Sequence, residues 1–358
     1  MSSTAPLFII MAGGTGGHIF PALAVAEQLQ KSGARIHWIG THDGMESELV
    51  PRYNYDISFI PVKGVRGKGR VSLLQAPFRI MKSLWLVLKV IRRLKPVAVL
   101  GMGGFVSGPG CVAAWLLRKP LVLHEQNAVL GLTNRLGAPF ATRLLEAFPN
   151  TFASGKKVTC TGNPLRAMSP AATPPFTGDR ALRLLVLGGS RGAAAINESI
   201  PEALAKMMPH APEVWHQTGK NNYERTVAAY DEVGVTARIS PFIDAMHNAY
   251  EWADLVVCRA GALTVAELAQ NGTPAILVPY PWHRDQQQLR NARYLTDRQA
   301  AILLEQRDMN ENTLSELLTS LINDPERLQS MAVAATRCAH PDATRMVADI
   351  CREVACDR

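Results

Sequence analysis

The sequence predicts an α/β protein made of two doubly wound domains, each a mainly parallel sheet covered by helices on both faces. Three observations carry that expectation. The chain has 358 residues, which suggests about two domains of ~150 residues each. Strand-like apolar runs alternate with helical stretches in two successive series, and a Pro- and Gly-rich break separates the series. The first series places strands at Leu7–Met11, Arg35–Ile39, Ile57–Val62, Val97–Leu100, Leu121–His124 and Arg143–Leu145. Runs this uniformly apolar suit strands buried on both faces. The break extends from Thr161-Gly162-Asn163-Pro164 to Pro174-Pro175-Phe176-Thr177-Gly178 and reads as a linker. The second series follows at Leu184–Leu187, Val214–Gln217, Arg238–Ser240, Leu255–Cys258 and Ala275–Val278. A first domain is therefore expected over 1–163 and a second over 164–340, with a closing helix in 341–358 packing back on the first. Ligands of such domains bind at the carboxyl ends of the strands, here in a cleft between the two.

Composition narrows the class. Hydrophobic residues make up 47% and charged residues 19%, against roughly 25% charged in an average domain, which excludes a disordered or fibrous chain. Apolar runs are interrupted by Lys or Arg and fall short of the ~20 residues of a spanning helix. The first run leads straight into glycines and is expected to be a strand rather than a signal peptide. Six cysteines (Cys111, Cys160, Cys258, Cys338, Cys351 and Cys356) are scattered without a C-x-x-C pair, so neither disulfides nor a structural metal is expected, and a reducing cytoplasm is.

The formal net charge of +8 is unevenly shared. Residues 1–165 hold 19 Lys+Arg against 7 Asp+Glu, whereas residues 166–358 hold 19 against 23. Twelve basic residues and no acidic one lie between Asp56 and Glu125. The first half is thus expected to face something anionic.

Three glycine clusters follow expected strands: Gly13-Gly14-Thr15-Gly16-Gly17-His18, Gly101-Met102-Gly103-Gly104, and Gly188-Gly189-Ser190-Arg191-Gly192. Glycine lets the backbone approach a phosphate, and a following helix N-terminus supplies free N–H groups and partial positive charge. Strand-to-helix turns use glycine without any ligand, but three such turns favour an anionic one. A nicotinamide cofactor is not expected, because no cluster completes G-x-G-x-x-G and the second strand ends in Gly40-Thr41 instead of an acid. The Walker lysine loop is also absent.

The most specific constellation is Gly261-Ala262-Leu263-Thr264-Val265-Ala266-Glu267, continuing to Gly272-Thr273-Pro274. A helix starting near Ala262 puts Thr264 in its first turn and Glu267 one turn later. A diphosphate at that N-terminus would meet backbone N–H groups and the Thr264 hydroxyl, and Glu267 could accept from both ribose hydroxyls. Taken singly, Thr264 is a cap-region residue and Glu267 a solvated charge; together, after a buried strand, they favour a nucleotide.

These residues carry a resemblance. Met11-Ala12-Gly13-Gly14-Thr15-Gly16-Gly17-His18-Ile19-Phe20-Pro21-Ala22, His124-Glu125-Gln126-Asn127, Gly162-Asn163-Pro164-Leu165-Arg166, Gly188-Gly189-Ser190-Arg191-Gly192-Ala193 and Gly261 through Glu267 closely resemble the MurG family, in the same order over nearly the whole chain. The resemblance implies the GT-B glycosyltransferase fold: two Rossmann-like domains facing across a cleft. It implies inverting transfer of GlcNAc from UDP-GlcNAc to the C4 hydroxyl of undecaprenyl-pyrophosphoryl-MurNAc-pentapeptide, a step of peptidoglycan synthesis that serves cell shape and division. It further implies a peripheral enzyme on the cytoplasmic face of the bacterial inner membrane, near other cell-wall enzymes. Carried over by position, Ser190 and Arg166 would lie near the nucleotide and its phosphates, and the backbone of Ile243 would read the uracil edge. Ala262, Leu263, Thr264, Val265, Ala266 and Glu267 would hold diphosphate and ribose, and Gln287 or Gln288 the sugar hydroxyls. In the first domain Thr15, Gly16, Gly17 and Asn127 would surround the transferred sugar and the acceptor.

Inverting transfer needs a base and a stabilised leaving group. No D-x-D occurs in the chain, so no metal or other cofactor is expected, and helix dipole, hydroxyls and Arg166 would stabilise the departing UDP. His18 and Glu125 are the candidate bases. An imidazole has a reference pKa near ~6.5, suited to neutral pH; a carboxyl ending a buried strand can be tuned upward by desolvation. His18 is preferred.

A helix expected over Arg79–Lys95 gathers Ile80, Met81, Leu84, Val87, Leu88, Val90, Ile91 and Leu94 on one arc at ~100° per residue, to pack on the first domain. Arg79, Lys82, Lys89 and Arg93 lie on the other, with Leu86 among them and Trp85 at the edge. A cationic face carrying Leu and Trp suits an anionic membrane surface, and the loop of Lys63, Arg66, Lys68 and Arg70 would add to it. Trp115 either joins the same patch or sits in the core, and the core is preferred. Nucleic acid is not expected, since neither interleaved aromatics nor a reading motif accompanies the cations. The rivals are a UDP-GlcNAc 2-epimerase of the same architecture and a nucleotide-regulated membrane-binding protein without catalysis.

Overall fold

The computed structural model describes residues 5–62, 70–166, 176–189 and 193–356. The chain divides into two compact units, Met1–Arg166 together with Pro341–Arg358, and Ala167–His340. The loop cations Lys63, Arg66 and Lys68, and also Ser190, lie outside the described residues.

Unit 1 is a seven-stranded parallel sheet. Its strands are β1 (Leu7–Met11), β2 (Arg35–Gly40), β3 (Asp56–Phe59), β4 (Ala98–Gly101), β5 (Leu121–Glu125), β6 (Arg143–Glu146) and β7 (Val158–Cys160), in the order β3-β2-β1-β4-β5-β6-β7. The helices between them are α1 (Gly16–Lys31), α2 (Glu46–Arg52), α3 (Arg70–Leu94), α4 (Ser107–Leu116) and α5 (Leu132–Gly137). β1 explains why its sequence is apolar at every position: Phe8 and Ile10 enter a core with Ile19, Leu23 and Trp38, while Ile9 and Met11 enter another with Val87, Ile91 and Cys111. Successive side chains point to opposite faces, and both faces are covered.

Unit 2 has six parallel strands: β8 (Arg183–Leu187), β9 (Glu213–Gln217), β10 (Arg238–Ser240), β11 (Leu255–Cys258), β12 (Ala275–Leu277) and β13 (Ala301–Leu303), in the order β10-β9-β8-β11-β12-β13. Its helices are α6 (Ala194–Ala205), α7 (Tyr223–Val233), α8 (Met246–Trp252), α9 (Ala262–Asn271), α10 (Gln287–Thr296), α11 (Glu311–Ile322) and α12 (Pro325–Arg337). The last helix, α13 (Ala343–Cys356), belongs to unit 1, where Val347, Ala348, Cys351 and Val354 join the core under α1. In both sheets the strand order reverses beside the first strand of the unit, between β1 and β4 and between β8 and β11. Loops that follow strands on either side of such a switch point diverge and leave a crevice.

Two strands escape the apolar patterning. Val158–Cys160 and Ala301–Leu303 are three residues each and pair along one edge only. The helix expected from Arg79 begins at Arg70 and runs through Pro77. From Leu84 onward its apolar arc packs on the sheet, with Val87 and Ile91 buried. The expected arc is corrected at two positions, Ile80 and Met81, which are exposed, and Leu86 packs half-buried on the core instead of standing among the cations. Trp115 is also corrected. It is exposed and tilts against Phe140 at 5.3 Å.

Candidate active site

In unit 1 the turn after β1 enters α1 at Thr15, which makes no side-chain cap. Thr15 and Gly17 are exposed, while Gly16 and His18 are half-buried. The turn is held by a residue that sequence reasoning missed. Glu46, fully buried, accepts the Gly14 N–H at 3.0 Å through Oε2, and the Thr41 N–H and Oγ1–H at 2.8 Å each through Oε1. An acid at the end of the second strand would signal a dinucleotide ribose. Here the acid arrives five residues after Thr41, folds back and is used up by the loop. Its only signal in the sequence is a carboxylate between glycine-rich turns.

The loop after β4 packs on the first. Gly104 has φ +77°, and a Cβ there would lie 2.5 Å from the Gly13 carbonyl, so glycine is required where the two turns meet. Gly103 (φ +88°) leaves room for the His18 ring: an added Cβ would be 3.0 Å from its Nδ1.

The segment after β5 supplies the partners. His18 Nδ1 lies 2.8 Å from Gln126 Oε1. Gln126 Nε2 lies 3.2 Å from His124 Nδ1, and His124 Nε2 lies 3.0 Å from the Gly162 carbonyl. Burial pushes the His124 imidazole down to about 4, with the Gly162 hydrogen bond opposing, so it is neutral. Glu125 is occupied differently. Its Oε1 accepts from the Asn127 N–H at 3.1 Å and from Asn127 Nδ2 at 3.3 Å, and its Oε2 accepts from the Gly131 N–H at 3.0 Å and Asn134 Nδ2 at 2.9 Å. Four donors leave the carboxylate little capacity for a hydroxyl proton.

Arg166, expected beside the nucleotide phosphates, is placed in unit 1. Its guanidinium lies over the Tyr53 ring at 4.9 Å and the Phe20 ring at 5.9 Å, and hydrogen-bonds the Tyr53 hydroxyl. Cation–π contact and a hydroxyl partner hold it there.

In unit 2 the equivalent glycine turn follows β8. Gln217, on β9, clamps it. Gly189 N–H donates to Gln217 Oε1 at 3.0 Å, and Gln217 Nε2 donates to the carbonyls of Gly189 and Pro241 at 3.2 Å each. Behind it His216 is fully buried between Asn197 Oδ1 (3.0 Å) and the Tyr230 hydroxyl (2.9 Å), and burial lowers it to about 3. Ile243 is buried just beyond β10.

α9 begins at Ala262 after Gly261, whose extended backbone (φ −65°, ψ 144°) offers no side-chain cap. The first intrahelical acceptance is Val265 N–H to the Gly261 carbonyl at 2.9 Å. The N–H groups of Ala262, Leu263 and Thr264 therefore point out of the helix end. Thr264, Ala266 and Glu267 are half-buried, and Val265 is buried. Glu267 Oε2 accepts from the Tyr250 hydroxyl at 2.9 Å; burial raises its carboxyl to about 7, and the Tyr250 bond works against that rise. Tyr250, on α8, is a second residue with no sequence signal. Arg259 braces the neighbouring loop by donating to the Val278 and Pro279 carbonyls and to Gln306 Oε1 at 2.7 Å. Of the two candidate glutamines, Gln288 Oε1 accepts the Tyr280 N–H at 2.9 Å, whereas Gln287 starts α10 with its N–H toward Asp285. Among the described residues no group of three or more His, Cys, Asp or Glu could hold a metal ion.

The arrangement thus offers an uncapped helix end with a hydroxyl and a carboxylate in unit 2, and an imidazole backed by an amide in unit 1. Known proteins show the same architecture. Residues 8–146 match the glycosyltransferase family 28 N-terminal domain, and residues 183–347 its C-terminal domain. A UDP-N-acetylglucosamine–N-acetylmuramyl-(pentapeptide) pyrophosphoryl-undecaprenol N-acetylglucosamine transferase of Pseudomonas fluorescens is 53% identical over 97% of this chain and 98% of its own. The crystal structure of Acinetobacter baumannii MurG superposes with a TM-score of 0.83 at 40% identity, covering 97% of this chain and 99% of that one. A UDP-N-acetylglucosamine 2-epimerase shares the fold alone, at 12% identity and a TM-score of 0.66 over 96% of this chain and 95% of its own. The fold is that of the GT-B glycosyltransferases, and with identity of this order over nearly its whole length the chain belongs to the MurG family of family 28 glycosyltransferases.

Proposed function

We propose that the chain transfers GlcNAc from UDP-GlcNAc to the C4 hydroxyl of undecaprenyl-pyrophosphoryl-MurNAc-pentapeptide, with inversion, and that α9 is the donor site. The observation that carries the site assignment is the uncapped start of α9 with Thr264 and Glu267 on its first turns. The N–H groups of Ala262, Leu263 and Thr264 bind the diphosphate, and the helix dipole stabilises charge as UDP departs. Glu267 accepts from the ribose hydroxyls, and the backbone of Ile243 reads uracil. Gln287 meets the sugar hydroxyls, since the Gln288 amide oxygen is engaged by Tyr280. Thr15, Gly16, Gly17 and Asn127 face the sugar and acceptor. His18 takes the hydroxyl proton, and Glu125 braces the loop that carries Asn127. Transfer of radiolabelled GlcNAc to a lipid-linked muramyl acceptor tests the reaction. It is expected to persist in excess chelator; label released as a free sugar, or turnover restored only by a divalent ion, would contradict it.

The acceptor is a lipid, and unit 1 has a surface suited to one. On α3, Phe78 (80% exposed), Met81 (67%) and Trp85 (59%) stand beside exposed Lys82, Lys89 and Arg93, and Lys89 Nζ lies 5.5 Å from the Trp85 ring. α4, packed alongside, exposes Trp115 and Leu116. Among the described residues no helix is long and apolar enough to cross a membrane. This face rests peripherally on the anionic cytoplasmic leaflet of the inner membrane, within reach of other cell-wall enzymes. Each cation near such a surface contributes about 1 kcal/mol. Changing Trp85→Ala, Lys82→Glu and Lys89→Glu together is therefore expected to weaken sedimentation with anionic vesicles by at least about 10-fold. Unchanged binding, or binding indifferent to anionic lipid, would contradict this surface.

A further inference from the structure

We propose that Gln126, backed by His124, is a positioning residue that holds neutral His18 as its Nδ1–H tautomer and so leaves His18 Nε2 as the nitrogen that takes the acceptor's proton. The proposal rests on the reading of His18 as the base and specifies how the protein prepares it.

The hydrogen bonds fix the direction of the relay from its buried end. The Gly162 carbonyl can only accept, so His124 Nε2, 3.0 Å away, carries a hydrogen. His124 is fully buried and neutral, which makes its Nδ1 an acceptor. The Gln126 group 3.2 Å from it must then be the NH2, which also reaches the His124 carbonyl at 3.3 Å. The opposite amide orientation would set the Gln126 oxygen against two acceptors. Gln126 Oε1 is therefore turned toward His18 Nδ1 at 2.8 Å, and an amide oxygen requires a hydrogen on that nitrogen. Gly103 lets the backbone pass close to the same edge of the ring, since an added Cβ there would lie 3.0 Å from Nδ1 and Cε1. The lone pair of neutral His18 is left on Nε2.

The choice of an amide has a chemical consequence. A carboxylate at position 126 would favour the imidazolium and retain the proton, whereas glutamine orients the ring without adding charge. The neighbouring carboxylates are otherwise engaged: Glu125 by Asn127, Gly131 and Asn134, and Glu46 by Gly14 and Thr41. His124 is the titratable group that faces His18 through the amide, and it is uncharged. A base held in the wrong tautomer presents N–H to the hydroxyl and cannot take its proton.

The test is a long-range 1H–15N correlation on the 15N-histidine-labelled full chain at about pH 8.5, where an ordinary imidazole is neutral, with His18 assigned by its loss in His18→Gln. His18 Nδ1 is expected to resonate as a protonated nitrogen and Nε2 as an unprotonated one. Gln126→Met, similar in length but unable to accept a hydrogen bond, is expected to shift His18 toward the Nε2–H form. It should also lower kcat about 10- to 100-fold, with the KM for UDP-GlcNAc within about twofold. Wild-type His18 found as Nε2–H would overturn the proposal, and that spectrum needs no variant to fold. So would an unchanged tautomer and kcat in Gln126→Met. Full turnover in His18→Ala would instead remove the base assignment and leave the tautomer result standing.

Discussion

Replacing His18 with alanine is expected to lower kcat by about 10²- to 10⁴-fold, the usual contribution of a positioned general base, with little change in the KM for UDP-GlcNAc. The separation follows from the chain's construction. His18 lies in unit 1 on the first turn of α1, whereas the groups assigned to the nucleotide, Ile243 and Ala262 through Glu267, lie in unit 2. The side chain is half-buried and, among the described residues, makes one hydrogen bond, to Gln126, so its removal costs about 1 kcal/mol of stability. A comparable loss of kcat in Glu125→Gln would not by itself restore Glu125 as base, because that change also weakens the bonds to Asn127, Gly131 and Asn134. Near-normal kcat in His18→Ala would refute the assignment.

The second large effect is expected at Glu267 and has two signs. In Glu267→Gln the KM for UDP-GlcNAc is expected to rise about 10- to 100-fold, because hydrogen bonds from ribose hydroxyls to a carboxylate are each worth about 1.5–3 kcal/mol. The Tyr250 hydroxyl retains an oxygen to donate to. Burial raises the folded carboxyl to about 7 from its ordinary 4.5. A group raised in this way contributes stability below its unfolded value and loses it as pH rises through about 7. At about pH 8 the ionised Glu267 thus destabilises the unliganded protein. Glu267→Gln is accordingly expected to raise the Tm without ligand while shrinking the increase produced by UDP-GlcNAc. In the wild type, the KM for donor should climb as pH falls through about 7, where the accepting carboxylate is protonated. A lowered Tm with an unchanged KM would contradict a ligand-facing carboxylate.

Strand positions and glycine turns were legible because both are local. β1 is apolar at five successive residues since each face of the sheet meets a core, and a strand entering a helix through glycines needs no distant partner to be recognised. α9 was legible for the same reason, as its Gly261, Thr264 and Glu267 fall within two helical turns. The supports were not. Gly14 and Glu46 are 32 residues apart, and His18 and Gln126 are 108 apart; such pairs have no periodicity and meet only through sheet order. Tyr250 reaches Glu267 from another helix in the same way. Arg166 falls in unit 1 because the aromatic rings of Phe20 and Tyr53 hold it, and both lie far away in sequence. The α3 wheel holds for Leu84, Val87, Leu88, Val90 and Ile91, where helix and sheet touch, while Leu86 turns to the core rather than to the cations. It failed at Ile80 and Met81, where periodicity continues but no partner surface covers it.

The most direct test is the structure of the full chain crystallised with UDP-GlcNAc. Diphosphate oxygens are predicted within hydrogen-bond distance of the backbone N–H groups of Ala262, Leu263 and Thr264, with the ribose hydroxyls on Glu267. A diphosphate bound elsewhere, with the first turn of α9 left to solvent, would contradict the donor site and every role assigned around it.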